Sequence, residues 1–160
     1  MHSLTQLAAE WMTQTAPADT VTVPSVMQAH CRKYLQQHDR LLDLPIMVAL
    51  FTFDTLTQHK ARTAIMILQR AVNAKADGVI GPQTIDASRS QYQMTTIRRM
   101  ALYRLDLIDV MARSDSRQSQ HLEANRTRVL DLFEFLITHR GLGEFADSRE
   151  TYTTAGATTA

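Results

Sequence analysis

Apolar residues recur at helical spacing along most of the chain, and this pattern constrains the fold more than any other feature. The cleanest stripe has spacings of 3, 4, 7 and 11 residues: Ala61, Ala64, Ile65, Leu68 and Val72. Comparable patterns predict helices that begin near Ser3, Ser25, Ile46, Pro82, Met94 and Leu122. Residues 46–56 are apolar almost all round, which is typical of a helix in the middle of a bundle. We therefore predict an all-α fold, a compact bundle of six or seven helices.

The same pattern divides the chain into three segments. Residues 1–24 are predicted to be an N-terminal helical arm and linker, because the apolar period stops before Pro17. Residues 25–141 form the helical domain, whose last helix is expected to end at Gly141. Residues 142–160 show no periodicity and are predicted to be a flexible, disordered tail.

Composition excludes several classes of protein. The 160 residues include 17 Lys and Arg against 16 Asp and Glu, so a strongly basic nucleic-acid binder is not indicated. Cys31 is the single cysteine, which excludes an internal disulfide and a cysteine-built zinc cage. The six histidines are scattered, so we expect no metal site. We also expect no cofactor and, because the charges balance, no nucleic-acid partner. The oligomeric state stays open.

The sequence also carries expectations about location. No apolar run approaches the roughly 18 residues needed to span a membrane, and the longest covers only residues 45–51. The first residues lack a basic segment and a continuous apolar segment, so we expect no Sec signal peptide. The expected location is therefore cytoplasmic synthesis, with association with a virion or delivery to the periplasm by a phage or another non-Sec route.

The most specific segment is residues 77–84, Asp-Gly-Val-Ile-Gly-Pro-Gln-Thr. Gly78 can adopt a left-handed backbone conformation, and the carboxylate of Asp77 can accept backbone N–H bonds within the turn. Ile80 lies between two glycines and is expected to point into the core, while Pro82 opens the next helix. Taken residue by residue, these features predict only a helix–loop–helix.

As a whole, the segment resembles the peptidoglycan-binding repeats of many cell-wall hydrolases. It is most similar to the C-terminal peptidoglycan domain of glycoside hydrolase family 108 lysozymes, in which Leu-Gln-x-Ala precedes the loop, as Leu68-Gln69-Arg70-Ala71 does here. Phe53-Asp54 matches the Phe-Asp of that family, and residues 99–104 resemble its Arg-and-Tyr helix. Asn125-Arg126 matches the Asn-Arg of its closing motif. The resemblance covers roughly residues 34–132.

The resemblance implies a lysozyme-like C-terminal helical lobe and an endolysin-like, phage-related function. The catalytic sequence motifs of the family, Glu-Gly-Gly and Gly-Gly-x-Thr, do not occur in this chain. The implied function is therefore non-catalytic binding of peptidoglycan or of another envelope or virion component. The binding residues that the resemblance implies are Asp77, Gly78, Ile80, Gly81, Thr84, Tyr103 and Arg104.

Two alternatives stay open. In a shortened active muramidase, Glu10 beside Trp11 would be the general acid, which requires a raised pKa; the simpler interpretation makes Glu10 a solvated helix residue. In a phage accessory or structural protein, the same helices would bind a protein partner instead.

Two further groups have two interpretations each. The arginines between Arg89 and Arg128 are either an ion-paired helix face or contacts for the carboxylates of peptidoglycan stem peptides. Asp54 is interpreted as a structural polar group rather than a catalytic one.

Overall fold

The computed structural model describes residues 3–20 and 23–139, and within these ranges every regular element is a helix. The α-helices are α1 (Leu4–Gln14), α2 (Pro24–Gln37), α3 (Ile46–Gln58), α4 (Ala61–Ala71), α5 (Pro82–Arg89), α6 (Gln93–Ser114), α7 (Ser116–Ser119) and α8 (Leu122–Thr138). A short 3-10 helix, Asp39–Asp43, joins α2 to α3. The all-α prediction is confirmed. Gly141 and the predicted tail, 142–160, lie outside the described residues.

The predicted helices correspond to α1–α6 and α8, and α7 is a single additional turn. Ser3 begins α1 through a capping box, in which its Oγ accepts from Gln6 N and its N–H donates to Gln6 Oε1. Pro24 and Pro82 open α2 and α5, as expected for a residue without a backbone N–H. The second helix, predicted to begin near Ser25, ends at Gln37, and the 3-10 helix then turns Leu41 into the core.

Helix α3 is the centre of the bundle. Its residues 47–56 are all buried, and it contacts α1, α4 and α6. Of the stripe predicted for α4, Ala64, Leu68 and Val72 are buried, Ile65 is half-buried and Ala61 is exposed. The long helix α6 packs against both α4 and α8. Burial on all sides explains why residues 46–56 carry so few polar side chains.

Helix α1 is part of the same core. The arm was expected as a separate segment, but α1 packs against α2 and α3 and buries Leu7, Ala8 and Trp11. The ring of Trp11 lies 5.5 Å from that of Phe135 on α8, measured between centroids. The apolar face of α1 was visible in the sequence, whereas its packing partners were not. None of the helices in the described residues has the length and hydrophobicity needed to cross a lipid bilayer.

Candidate functional site

The loop between α4 and α5, residues 72–81, is organised by one side chain, Gln69. Its Nε2 donates to Asp77 Oδ1 at 2.8 Å, to the carbonyl of Val79 at 2.9 Å and to Thr84 Oγ1 at 3.2 Å. Its Oε1 accepts from the backbone N–H of Gly78 at 2.8 Å. Gln69 is buried, so these bonds satisfy an amide that would otherwise be costly to remove from water.

The two glycines of the loop have different roles. Gly78 has φ of +82°, and a Cβ there would lie 2.7 Å from Cγ of Arg62. Gly81 is extended, with φ of −106° and ψ of −179°, and a Cβ there would meet no atom within 4 Å. The predicted left-handed conformation is therefore found at Gly78, which is the position that requires a glycine.

The remaining residues carried over from the family lie in different environments. Ile80 and Thr84 are buried, as expected for Ile80, while Asp77 is exposed. Burial has little effect on Asp77, and the hydrogen bond from Gln69 is the main cause that lowers its pKa. Tyr103 lies on α6 with 39% of its surface exposed, whereas its neighbour Arg104 points inward and is 1% exposed.

Arg104 belongs to a buried ion-pair cluster around Asp54. Asp54 Oδ2 accepts from Nη1 of Arg104 at 2.7 Å. Asp54 Oδ1 accepts from Nε1 of Trp11 at 2.7 Å and from Nε and Nη2 of Arg128 at 3.0 and 2.6 Å. The guanidinium of Arg128 also lies over the Trp11 ring, 5.5 Å from its centroid. The carboxylate joins α1, α3, α6 and α8 at a single point.

The cluster keeps Asp54 ionised. Burial alone would raise the pKa of Asp54, but the charges of Arg104 and Arg128 and the hydrogen bonds from Arg128 and Trp11 hold it below its ordinary value. A general acid for glycoside hydrolysis needs the opposite environment, one that keeps its carboxyl protonated near neutral pH. Asp54 is therefore suited to a structural and electrostatic role, as the sequence interpretation expected.

A small cavity of about 100 Å³ adjoins the cluster, between the C-terminal end of α3 and the helices α6, α7 and α8. The residues that line it are Gln58, His59, Arg104, Ile108, Met111, Gln118, Asn125 and Arg128. Burial and, next, the charge of Arg104 lower the pKa of His59 to about 4, so its imidazole is neutral at physiological pH. The cavity therefore combines two guanidinium groups with neutral hydrogen-bonding side chains.

Glu10 lies on α1, away from this cavity. Its side chain is 46% exposed, and its Oε2 is 3.5 Å from Nε2 of His139. It borders a separate, open depression on α1 and α2. Within the described residues, no three His, Cys, Asp or Glu side chains gather as a metal site would require.

Sequence reasoning missed three members of this arrangement. Trp11 was noted only as an apolar neighbour of Glu10, Arg128 only as one of many late arginines, and His59 only as one of six scattered histidines. A tryptophan in the first helix gives no sign of its acceptor 43 residues later. The weak signal available was Asp54 itself, a carboxylate inside an otherwise apolar helix, which requires a buried cation.

Comparison with known proteins identified no relative of this chain. Scans against protein-family models, curated proteins and solved structures found no match to this chain.

Proposed function

We propose that this chain is a non-catalytic protein that binds peptidoglycan or another component of the bacterial cell envelope. The proposal starts from the resemblance of residues 34–132 to the peptidoglycan domain of family 108 lysozymes. The loop of residues 77–84 supports it, because the Leu-Gln of the motif holds the Asp-Gly and Thr of the same motif through the four bonds of Gln69.

The observation that carries the proposal is the meeting of two family-like segments at Asp54, the Phe-Asp pair and the Arg-and-Tyr helix. Phe53-Asp54 supplies the carboxylate, and the Arg-and-Tyr helix supplies Arg104 from 50 residues away. The helix that contains Asn125-Arg126 also reaches Asp54, but through Arg128, which lies outside the matched pair. Arg126 itself pairs with Asp109 and Glu123. The contact between two matched segments at one buried carboxylate supports the interpretation that both belong to one scaffold.

The environments of the Asp54 and Glu10 side chains favour a binding function over glycoside hydrolysis. Asp54 is held ionised by two guanidinium groups, and Glu10 is nearly half exposed rather than enclosed in an apolar cleft. The environment of Asp54 is the opposite of one that raises the pKa of a catalytic acid. The scaffold can therefore present a binding surface without a functional cutting site.

Co-sedimentation with purified Gram-negative sacculi at low ionic strength tests this proposal. We expect the wild-type protein to pellet with the sacculi and Tyr103→Ala to lower the pelleted fraction several-fold, because Tyr103 is the exposed aromatic residue of the proposed surface. Tyr92→Ala is the matched control, since Tyr92 is also an exposed tyrosine next to α6 but lies outside the proposed set.

Three outcomes would overturn the proposal. The first is no sedimentation of the wild-type protein at low salt. The second is lysis of cell walls by the wild type that disappears in Glu10→Gln, which would indicate a muramidase. The third is stable co-purification with a protein partner in the absence of wall binding, which would indicate an interaction module.

A further inference from the structure

The cavity beside the Asp54 cluster has the chemistry of an anion site. Its polar wall is formed by Gln58, His59, Arg104, Gln118, Asn125 and Arg128, and none of the described residues that line it is acidic. Its volume of about 100 Å³ exceeds that of one water molecule, which occupies roughly 30 Å³ in the liquid. A group of a few heavy atoms fits this space.

The charges around the cavity do not balance. Arg104 and Arg128 bring two positive charges, and Asp54 brings one negative charge that binds both. Both oxygens of Asp54 already accept hydrogen bonds from Trp11 and from the two arginines, so one carboxylate is shared between two guanidinium groups. One positive charge remains next to a partly enclosed space, where water screens it less than at an open surface.

A buried donor is also left over. Arg104 is 1% exposed, and its Nε has no hydrogen-bond partner among the described residues. A buried, unsatisfied donor on a charged group is costly and uncommon in folded proteins. Arg104 forms part of the cavity wall, so an oxygen atom held in the cavity lies beside this guanidinium.

We infer that this cavity binds one carboxylate group, held by the guanidinium groups of Arg104 and Arg128 and by the neutral side chains around them. A carboxylate carries a single negative charge, which matches the single uncompensated positive charge of the cluster. Guanidinium and carboxylate also have complementary planar shapes. A dianionic phosphate would leave an excess negative charge beside Asp54.

The cavity identifies the bound group, a carboxylate, and not the molecule to which that group belongs. The assignment of that carboxylate to a peptidoglycan stem peptide rests on the proposed function. The two claims are separable, because a free small carboxylate probes the cavity and sacculi probe the wall.

Acetate is the probe for the cavity, with chloride at equal ionic strength as the baseline. We expect acetate to raise the midpoint of thermal unfolding of the full chain saturably, by about 2–4 °C once its concentration exceeds its Kd several-fold. Acetate should also shift the NMR signal of the Arg104 Nε–H group with the same concentration dependence.

Gln118→Glu places a carboxylate in the cavity wall and should abolish the response to acetate. Gln120→Glu is the matched control, since it makes the same change at an exposed position two residues away and should respond as the wild type does. A wild-type protein without an acetate-specific response, or a Gln118→Glu variant that still responds, would overturn the site. A larger saturable shift with phosphate than with acetate would overturn the assignment to a carboxylate.

Sedimentation with sacculi separates the two proposals. An acetate response without wall binding overturns the proposed function and leaves the site standing. Wall binding that is equal in Gln118→Glu and Gln120→Glu overturns the stem-peptide assignment.

Discussion

Trp11 and Asp54 are joined by a 2.7 Å hydrogen bond from the indole Nε1 to Oδ1 of the carboxylate. This bond ties the first helix to the centre of the bundle, and both residues are fully buried. A tryptophan with a buried indole N–H needs such an acceptor, and here the acceptor is also the partner of two arginines. The N-terminal helix and the ion-pair cluster are therefore one structural unit.

The single tryptophan makes this unit observable. We expect urea unfolding followed by Trp11 fluorescence to coincide with unfolding followed by far-UV circular dichroism, because α1 shares the core of the other helices. A fluorescence transition at clearly lower urea would show that α1 detaches first, as a separate arm would.

Asp54→Asn should lower the free energy of unfolding by about 3–5 kcal/mol, because it leaves Arg104 charged and buried without its partner. Asp106→Asn, at an exposed position of α6, should change it by less than about 0.5 kcal/mol. Chemical denaturation of both variants measures the difference. A loss below about 1 kcal/mol for Asp54→Asn would mean that the ion pair is not the main support of Arg104.

His59 makes stability depend on pH. Its pKa is about 4 in the folded protein, lowered first by burial and then by the charge of Arg104, and near 6.5 in the unfolded chain. Between these values the unfolded state binds the extra proton, so stability falls as the pH falls from about 6.5 to about 4.

The expected contribution of His59 is about 1–2 kcal/mol, less than the whole pKa shift would give, because solvent screens a partly exposed ring. His59→Gln should flatten the pH dependence in this window, while His30→Gln, at an exposed position of α2, should not. Denaturant midpoints measured from pH 4 to pH 7 give the comparison. Parallel profiles for the wild type and His59→Gln would contradict the assignment.

The two glycines of the loop make a matched pair. Gly78→Ala should cost about 1–2 kcal/mol, because alanine is strained at φ of +82° and its Cβ would press on Arg62. Gly81→Ala should be neutral or stabilise by up to about 1 kcal/mol, since the backbone there is extended and the space is open. Equal effects of the two substitutions on thermal unfolding would argue against this account of the turn.

Much of the fold could be predicted from the sequence because helix burial leaves a local signal. The stripe of α4 and the apolar run of α3 repeat within a few residues, and both helices lie where these patterns place them. The turn at Gly78 is equally local, since a positive φ and the neighbouring Asp77 are encoded side by side. Such features need no knowledge of the rest of the chain.

The cluster could not be predicted in the same way. Its bonds join residues that are 43, 50 and 74 positions apart, and nothing in a single sequence marks which arginine among many will pair with Asp54. Arg104 and Arg126 look alike in the sequence, yet Arg104 is buried against Asp54 while Arg126 is a surface residue paired with Asp109 and Glu123. Only the packing of α6 on α3, and of α8 on α6, decides between them.

Asp54 is far in sequence from the two arginines that bind it, and this separation has a consequence for synthesis on the ribosome. Translation delivers Asp54 well before Arg104 and Arg128, so the emerging polypeptide holds an unmatched acidic group in its most apolar stretch until the later helices appear. That group keeps water around it and opposes early collapse of the nascent chain. We therefore expect the bundle to close only after residue 128 has left the exit tunnel.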